Sequence, residues 1–196
     1  MSTAEGWSER AYADARAYLA HRAEVVAQLG PALEPGDTLL DLACGDAAFA
    51  DFLPGGVRYL GVDASESMVA AARAHGRDAV LADLNDYTPR EPVAVTTCFR
   101  AVYYSRERRA FFAHVRSYTT KKFVFDLNPR QYELDDVRSD ALAVGFRQFV
   151  AQPFFSPQRV ALPGPIAAAL HSLEVVEAVA RFLLRFRFTY VCAAAG

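Results

Sequence analysis

An apolar segment that contains an acid and runs directly into a turn of small residues constrains this chain more than any other feature. Residues 39–50 read Leu-Leu-Asp-Leu-Ala-Cys-Gly-Asp-Ala-Ala-Phe-Ala. The apolar part predicts a strand, and the small residues after it let a ligand approach the backbone closely. A helix is expected to follow, so its free N–H groups would point at that ligand. This strand, turn and helix therefore predict a cofactor site.

Two further apolar segments also end in an acid. Asp63 closes residues 57–63, eighteen positions after Gly45, and Asp83 closes residues 79–83. This spacing is about one helix plus one neighbouring strand, so Asp63 would stand beside the turn at the carboxyl edge of a parallel sheet. A carboxylate there accepts hydrogen bonds from both hydroxyls of a ribose.

Strand-like and helix-like segments alternate along the chain, which predicts an α/β fold with a mostly parallel sheet. The predicted strands are 38–42, 57–62, 79–83, 93–98, 123–127, 146–155 and 186–192. The predicted helices are 8–29, 66–74, 106–118, 134–144 and 166–184, with Ser65 as the N-cap of the second and a short helix after the first strand. We interpret residues 1–35 as an N-terminal helical cap and 36–196 as the core, in which about 153–170 forms a substrate lid.

Composition restricts the class of protein. The chain has 196 residues, of which 53% are hydrophobic and 22% charged, as expected of one folded domain rather than a disordered polymer. No apolar run approaches the ~20 residues of a membrane helix, and the N-terminus lacks a signal-peptide pattern, so we expect a cytoplasmic protein with no membrane partner. Arginine clusters at 106–109 and 181–187 do not extend into the basic stripe of a nucleic-acid-binding surface, so no nucleic-acid partner is expected.

The cysteines and histidines give no sign of a metal site or of a base. Cys44, Cys98 and Cys192 are widely spaced without a C-x-x-C pair, which indicates neither a disulfide framework nor zinc, and no metal is expected. Helical spacing places His21, His75 and His114 on solvent faces, and His171 at the start of a late helix. No catalytic residue is assigned.

The D-x-A-C-G sequence, with acids closing the next two strands, resembles the class I S-adenosylmethionine-dependent methyltransferases of small-molecule type over nearly the whole chain. The resemblance implies a Rossmann-like three-layer sandwich with a seven-stranded sheet of order 3-2-1-4-5-7-6 and an antiparallel last strand. It assigns the methionine part of S-adenosylmethionine to the first turn, the ribose to Asp63, the adenine to two later turns, and the floor below the sulfonium to 98–100. The cofactor residues so implied are Asp41, Ala43, Cys44, Gly45, Asp63, Ala64, Ser65, Met68, Asp83, Leu84, Cys98 and Arg100.

Other candidates come from position and residue type. Tyr18 and Arg22 on the first helix are candidates for covering the cofactor and clamping its carboxylate, although ordinary packing and a surface arginine are the alternatives. The substrate-binding candidates are Tyr12, Tyr103, Tyr104, Asn128 and Arg130.

Two departures from the family pattern stand out. Its three glycines appear here as Ala43, Gly45 and Ala47, and alanine is tolerated there where φ stays negative. Many relatives have Leu-His-His where this chain has Val-Tyr-Tyr at 102–104, so a general base at those histidine positions is missing here.

The predicted function is transfer of a methyl group from S-adenosylmethionine to a small-molecule acceptor, leaving S-adenosylhomocysteine, in a monomer or homodimer. The site of methylation, on oxygen, nitrogen or carbon, stays open. The alternative is a non-catalytic sensor or partner subunit that binds either form of the cofactor. A nicotinamide dehydrogenase is disfavoured, because its G-x-G-x-x-G fingerprint is reduced here to a single glycine.

Overall fold

The computed structural model describes residues 7–176, 179, 182 and 188–196. Seven strands form one sheet in the order β3-β2-β1-β4-β5-β7-β6. The strands are β1 (Thr38–Leu42), β2 (Arg58–Asp63), β3 (Ala79–Leu81), β4 (Val93–Cys98), β5 (Thr119–Leu127), β6 (Gln148–Phe154) and β7 (Thr189–Ala195). β1 to β5 are parallel, and β7 runs antiparallel to both β5 and β6. The predicted fold class and strand order are confirmed.

Helices cover both faces of this sheet. They are α1 (Trp7–Ala11), α2 (Ala15–Gln28), α3 (Glu66–Ala74), α4 (Arg108–Tyr118), α5 (Leu134–Ala143) and α6 (Gly164–Ser172), with short 3-10 helices at Ala48–Phe52, Val102–Tyr104 and Leu173–Val175. One buried cluster joins α4 and α5 to the sheet through residues such as Phe112 and Val137. A second cluster joins α2 to the opposite face through Val26 and Leu39. The core thus consists of two apolar layers that hold the strand ends in place.

The N-terminal region is not the single helix predicted for 8–29. It breaks at residues 12–14, where the Asp14 carboxylate accepts a hydrogen bond from the backbone N–H of Ala17 (2.9 Å) and caps α2. The break lets α1 turn back over the end of β1. Ser65 occupies the N-cap position of α3, but its hydroxyl contacts Ser67 Oγ (3.0 Å) and makes no capping hydrogen bond.

The last third of the chain also differs from the predicted pattern. β7 is displaced toward the C-terminus relative to the predicted strand 186–192. Its residues 191–195 are buried, so neither face of this part of the strand is exposed to solvent. The predicted helix 166–184 is α6 followed by a 3-10 turn, and most of its second half lies outside the described residues, as do Arg181, Arg185 and Arg187. No helix in the described part of the chain has the length and apolar character needed to cross a bilayer.

Candidate active site

A cavity of about 600 Å³ opens at the carboxyl edge of the sheet, beyond the ends of β1 to β4. Its lining residues are Trp7, Ala43, Gly45, Asp63, Ala64, Met68, Ala82, Asp83, Leu84, Asn85, Phe99, Arg100, Tyr103 and Tyr104. Ten of these are among the candidates expected from the sequence. The side chains meet there because parallel strands bring their carboxyl ends to one edge.

The turn after β1 follows an unusual backbone path. Ala43, Gly45 and Ala47 have φ values of 59°, 59° and 58°, all in the left-handed region. The condition of negative φ, under which alanine is tolerated at these positions, is therefore not met at Ala43 or Ala47. Because a Cβ in this region clashes with the following carbonyl, each alanine costs about 1 kcal/mol relative to an unstrained backbone. The turn reproduces the backbone of a glycine-rich loop while keeping two methyl groups.

Asp63 ties this turn to the next one. Its Oδ2 accepts a hydrogen bond from the Gly45 N–H (2.8 Å), and its Oδ1 accepts one from the Ser65 N–H (2.9 Å). The carboxylate is thus fixed in orientation at the cavity wall. Since a carboxylate offers about four acceptor positions, each oxygen keeps capacity for another donor.

Asp41 lies deeper than Asp63. Its side chain is 4% exposed and accepts hydrogen bonds from Thr97 Oγ1 (2.6 Å) and from the Tyr59 hydroxyl (3.0 Å). Burial raises the pKa of Asp41 to about 6 despite these donors. It borders a separate small recess, together with Arg22 and Cys44, rather than the main cavity.

Arg22 is buried among aromatic rings. Its guanidinium carbon lies 4.8 Å from the Tyr18 ring centre and 4.3 Å from that of Phe99, and its Nη2 donates to the Tyr12 hydroxyl (3.1 Å). The reading of Arg22 as a surface side chain is therefore excluded. Tyr12 and Tyr18 stack on each other with ring centres 4.1 Å apart, and both are buried. Of the two, Tyr12 borders the small recess beside Asp41, whereas Tyr18 packs toward Phe154.

Asp83 and its neighbours form the far wall of the cavity. The backbone N–H of Asn85 and its side-chain amide both donate to Asp83 Oδ1 (2.8 and 2.7 Å). These hydrogen bonds hold the pKa of Asp83 below its usual value. Leu84, buried, and Met68, partly buried, add an apolar surface suited to a flat heterocycle.

The segment after β4 contributes a cation to the cavity. Arg100 has φ 56°, and its backbone N–H donates to Oδ1 of the half-buried Asp126 (2.6 Å). Its guanidinium lies near the rings of Trp7 (5.4 Å) and Tyr12 (5.7 Å). Its Nη1 is buried and has no hydrogen-bond partner among the described residues. Arg100 thus lines the cavity, while its unpaired Nη1 is closed to solvent and becomes a donor to a ligand only when the neighbouring rings shift.

Several predicted residues do not line the cavity. Cys98 is fully buried in the apolar layer under α4. Ser65 contributes its N–H to Asp63 but not its side chain to the lining. Asn128 and Arg130 form a local turn beyond β5, in which Asn128 Oδ1 accepts the Arg130 N–H (3.1 Å). Cys44 borders the small recess, and burial raises the pKa of its thiol.

Tyr103 and Tyr104 stand at the mouth of the cavity. Their exposed fractions are 51% and 63%, and their ring centres are 4.3 Å apart. Partial burial, together with Tyr104, raises the pKa of Tyr103 to about 12. Both side chains thus line the cavity while staying largely exposed to solvent.

Sequence reasoning missed the contact between α1 and the first turn. The Trp7 ring lies 3.5 Å from where a Cβ on Gly45 would be. Asp46, 2% exposed, accepts hydrogen bonds from the Ser8 N–H (2.9 Å) and the Ser8 hydroxyl (2.7 Å). The sequence signal for this contact was Asp46, an acid directly after Gly45 that the periodic apolar pattern does not account for. This contact makes α1 a wall of the site.

The lid predicted at about 153–170 packs on α2. The Gln158 carbonyl accepts a hydrogen bond from the Ala13 N–H (2.8 Å), and the segment borders a recess beside Tyr18. None of its residues lines the main cavity. The prediction that His21 lies on a solvent face is wrong, since this residue is only 7% exposed. His171 lies in the last turn of α6 rather than at its start.

Comparisons with known proteins agree with this geometry. Residues 39–122 match a family model described as a methyltransferase domain, and this range runs from β1 into β5. No curated protein matches the chain.

Solved structures match over nearly the full length. The magnesium protoporphyrin IX methyltransferase of Synechocystis PCC 6803, solved with S-adenosylmethionine, is 14% identical, with a TM-score of 0.63 over 100% of this chain and 86% of that one. A putative methyltransferase of Haloferax volcanii, solved with the Trm112 activator, is 18% identical, with a TM-score of 0.66 over 96% and 93%. A TehB-like methyltransferase of Corynebacterium glutamicum is 15% identical, with a TM-score of 0.60 over 91% and 88%. Residues 39–122 thus match a methyltransferase domain, and the chain has the fold of the class I S-adenosylmethionine-dependent methyltransferases.

Proposed function

We propose that this chain binds S-adenosylmethionine and transfers its methyl group to a small-molecule acceptor by in-line displacement. The observation that carries the proposal is the cavity of about 600 Å³, in which Asp63, Asp83 and the backbone of the first turn face one space. The Synechocystis structure of the same fold was solved with S-adenosylmethionine. The matched methyltransferase domain supports the same activity.

Each part of the cavity suits one part of the cofactor. Asp63 is held by two backbone N–H groups and keeps acceptor capacity for the two ribose hydroxyls. Asp83, Leu84 and Met68 surround the place for the adenine ring, with one acceptor and two apolar side chains. The strained turn at Ala43 and Gly45 allows the close approach of the methionine part. Asp41 and Arg22 would contribute through the small recess behind it.

The bound cofactor would supply a methyl group on a positively charged sulfur, which is already a good leaving group. The protein then mainly has to align the acceptor with that methyl group, at about 3–3.5 Å. Trp7, Phe99 and Tyr12 provide aromatic walls around this region, which exclude water and favour a cation. Positioning is thus the task that these residues perform.

The acceptor side of the cavity lacks an obvious base. No histidine lines it among the described residues, and the raised pKa of Tyr103 keeps that phenol protonated at neutral pH. The unpaired Nη1 of Arg100 is complementary to an anionic group. These features favour an acceptor that reacts without losing a proton, such as a small molecule bearing a carboxylate.

Calorimetry with S-adenosylmethionine tests the cofactor site. Asp63→Ala should weaken binding by at least about tenfold, because two hydrogen bonds to a charged acceptor are lost. Asp86→Ala is the matched control, since Asp86 pairs with Arg106 at the surface and is not part of the cavity lining. Equal affinity of Asp63→Ala and the native chain would refute the ribose assignment, and no binding by the native chain would refute the proposal.

A transfer assay tests the acceptor. The native chain, incubated with labelled S-adenosylmethionine and a panel of small carboxylic acids, phenols and amines, should label a carboxylic acid. Arg100→Gln should then raise the KM for that acid by about tenfold or more, with less effect on cofactor affinity. If cofactor affinity falls instead, Arg100 serves the methionine carboxylate.

A non-catalytic sensor is the second candidate, and the tyrosines at 103 and 104 favour it because they stand where many relatives carry histidines. Cofactor binding without transfer to any member of the panel would support this candidate over the enzyme.

A further inference from the structure

Two histidines and a buried glutamate meet beside α2, at a recess that shares no residue with the lining of the cofactor cavity. His21 is on α2, His171 is at the end of α6, and Glu174 is in the following 3-10 turn. One ring nitrogen of each histidine and one carboxylate oxygen of Glu174 lie within 4.8 Å of one another. Glu174 is 4% exposed and His21 is 7% exposed. We call these three residues the His-His-Glu cluster.

A single hydroxyl group holds both imidazole rings of the cluster. Ser156 Oγ lies 2.7 Å from His21 Nδ1 and 3.1 Å from His171 Nε2. A hydroxyl oxygen has two lone pairs, so it can accept an N–H from each ring. The other nitrogen of each ring is then unprotonated, and its lone pair is free to bind a metal. His21 Nε2, the nitrogen left over on that ring, lies 3.3 Å from Glu174 Oε2. Histidines that bind metals nearly always give their second N–H to an oxygen in this way.

The carboxylate of Glu174 is also oriented from behind. Its Oε1 accepts a hydrogen bond from the Phe155 N–H (2.7 Å), and its Oε2 accepts one from Gln152 Nε2 (3.1 Å). Within the described residues, its recorded ion-pair partner is His21, with no lysine or arginine. A buried carboxylate is costly without a counter-charge, so this position favours a cation.

There is room for an ion and for its water. The cluster borders a recess of about 180 Å³ whose wall also includes Glu24, Gln28 and Gln152. Glu24 adds a second carboxylate at the rim, which increases the attraction for a cation. The recess shares no residue with the wall of the cofactor cavity.

We propose that the His-His-Glu cluster is a binding site for a divalent transition-metal ion of the zinc type, with His21, His171 and Glu174 as ligands. Two imidazoles and a carboxylate suit such an ion, and a fourth position stays open to water. The His21 and His171 rings stack with their centres 3.5 Å apart and 15° between their planes. Ligands around a tetrahedral zinc lie about 3.3 Å apart, given Zn–N distances of about 2.0–2.1 Å, and the metal lies in the plane of each ring, so at least one ring has to rotate out of the stack on binding.

The position of the cluster indicates what the ion would do. It connects α2 to the segment that follows β6, and these parts are far apart in the sequence. A bound ion would fasten α6 onto α2 and thereby stabilise the nearby packing of Tyr18 against Phe154. The site is independent of the cofactor, so it stands or falls separately from the proposed methyl transfer.

The test uses the whole chain without a polyhistidine tag, stripped of metal by a chelator. After dialysis against Zn²⁺ and removal of the excess, elemental analysis should find one zinc per chain. Titration with Co²⁺ should give the strong visible absorption of a four-coordinate ion. Zn²⁺ should also raise the Tm.

Two variants and a control make the test specific. His171→Ala removes a ligand that is only partly buried, and it should weaken metal binding by more than about 100-fold, beyond the roughly 10–100-fold that the loss of a supporting hydrogen bond costs. Glu174→Gln keeps an oxygen for the Phe155 N–H but removes the charge, and it should weaken binding similarly. His114→Ala is the control, because His114 is on α4 and contacts the Tyr87 carbonyl (2.9 Å); it should retain one zinc per chain.

Three results would overturn the proposal: no retained zinc in the native chain, a Co²⁺ spectrum like that of the hydrated ion, or equal retention by His171→Ala and the native chain. Circular dichroism of each variant ensures that loss of metal is not loss of fold.

Discussion

Replacing Asp41 with asparagine should stabilise the protein at neutral pH. Asparagine has nearly the same size, and its oxygen can accept the Thr97 hydroxyl while its amide donates to the Tyr59 oxygen. The substitution therefore removes the charge and keeps the packing. The stability change reports directly on the burial of that charge.

The magnitude follows from the pKa. Burial raises the pKa of Asp41 from 3.8 to about 6, and each unit corresponds to about 1.36 kcal/mol. The folded state thus binds the proton more tightly than the unfolded state, so ionisation lowers the free energy of unfolding as the pH rises from 3.8 to about 6. Above that range the cost is constant at about 3 kcal/mol. This value is an upper limit for the gain, because Arg22 loses a favourable charge partner in the variant.

Urea unfolding of the cofactor-free protein, measured from pH 4 to 7.5, tests this reasoning. The advantage of Asp41→Asn over the native chain should be near zero at pH 4 and grow to as much as about 3 kcal/mol at pH 7.5. Asp46→Asn is the control, because Asp46 accepts two hydrogen bonds from Ser8 and an amide can accept only one of them. That variant should gain nothing. A pH-independent advantage for Asp41→Asn, or none at pH 7.5, would show that the buried charge is not the cause.

Three other changes test the site and its support. Gly61→Ala would place a Cβ 2.7 Å from Cys44 Sγ, so it should displace the first turn and weaken S-adenosylmethionine binding in calorimetry, whereas adding Cys44→Ala should restore part of the affinity. In urea unfolding, Ala47→Gly should lower the free energy of unfolding by at least about 1 kcal/mol less than Ala72→Gly does. Glycine relieves the positive φ at position 47, whereas at position 72 it destabilises the middle of α3; equal losses would contradict strain at Ala47. Lys122 is fully buried, donates to two carbonyls near the end of α2, and has a pKa lowered by burial to about 8. Between pH 8 and 10.5 the amine of Lys122 is protonated in the unfolded chain but not in the folded one, so the free energy of unfolding should rise with pH over this range. Lys122→Met should lose this rise, and an unchanged pH profile would contradict the lowered pKa.

The acids at strand ends were predictable because they depend on local pattern alone. Asp41 and Asp63 follow apolar runs, and both lie at the carboxyl edge of the sheet as expected. The boundaries of β1, α3 and β4 also follow from the sequence, since turn residues flank β1 and α3 and Pro92 precedes β4. Parallel strands buried on both faces give a continuous apolar signal, which makes such elements easy to recognise.

The errors arose where tertiary contacts override local pattern. The predicted strand 123–127 lacks the first residues of β5, a polar stretch in which the amine of Lys122 reaches two carbonyls near the end of α2. The alanines at 193–195 lack the alternation of a strand, yet they are buried between β5 and β6. His21 was placed at the surface because its partners, Ser156 and Glu174, lie more than a hundred residues away.

Backbone strain and buried charge, which both lower the stability of the fold, are concentrated at one edge of the sheet. Ala43, Ala47 and Arg100 are the residues other than glycine with positive φ in the described part of the chain, and two of them line the cofactor cavity. Asp41 and Asp126, whose pKa values are raised by burial, lie near the carboxyl ends of β1 and β5 at that edge. A sequence selected for stability alone would place glycine at the strained turn and neutral residues at the buried acids. Strain and buried charge that persist together around one cavity are what a ligand-binding site requires, since they fix donors and acceptors in advance of binding.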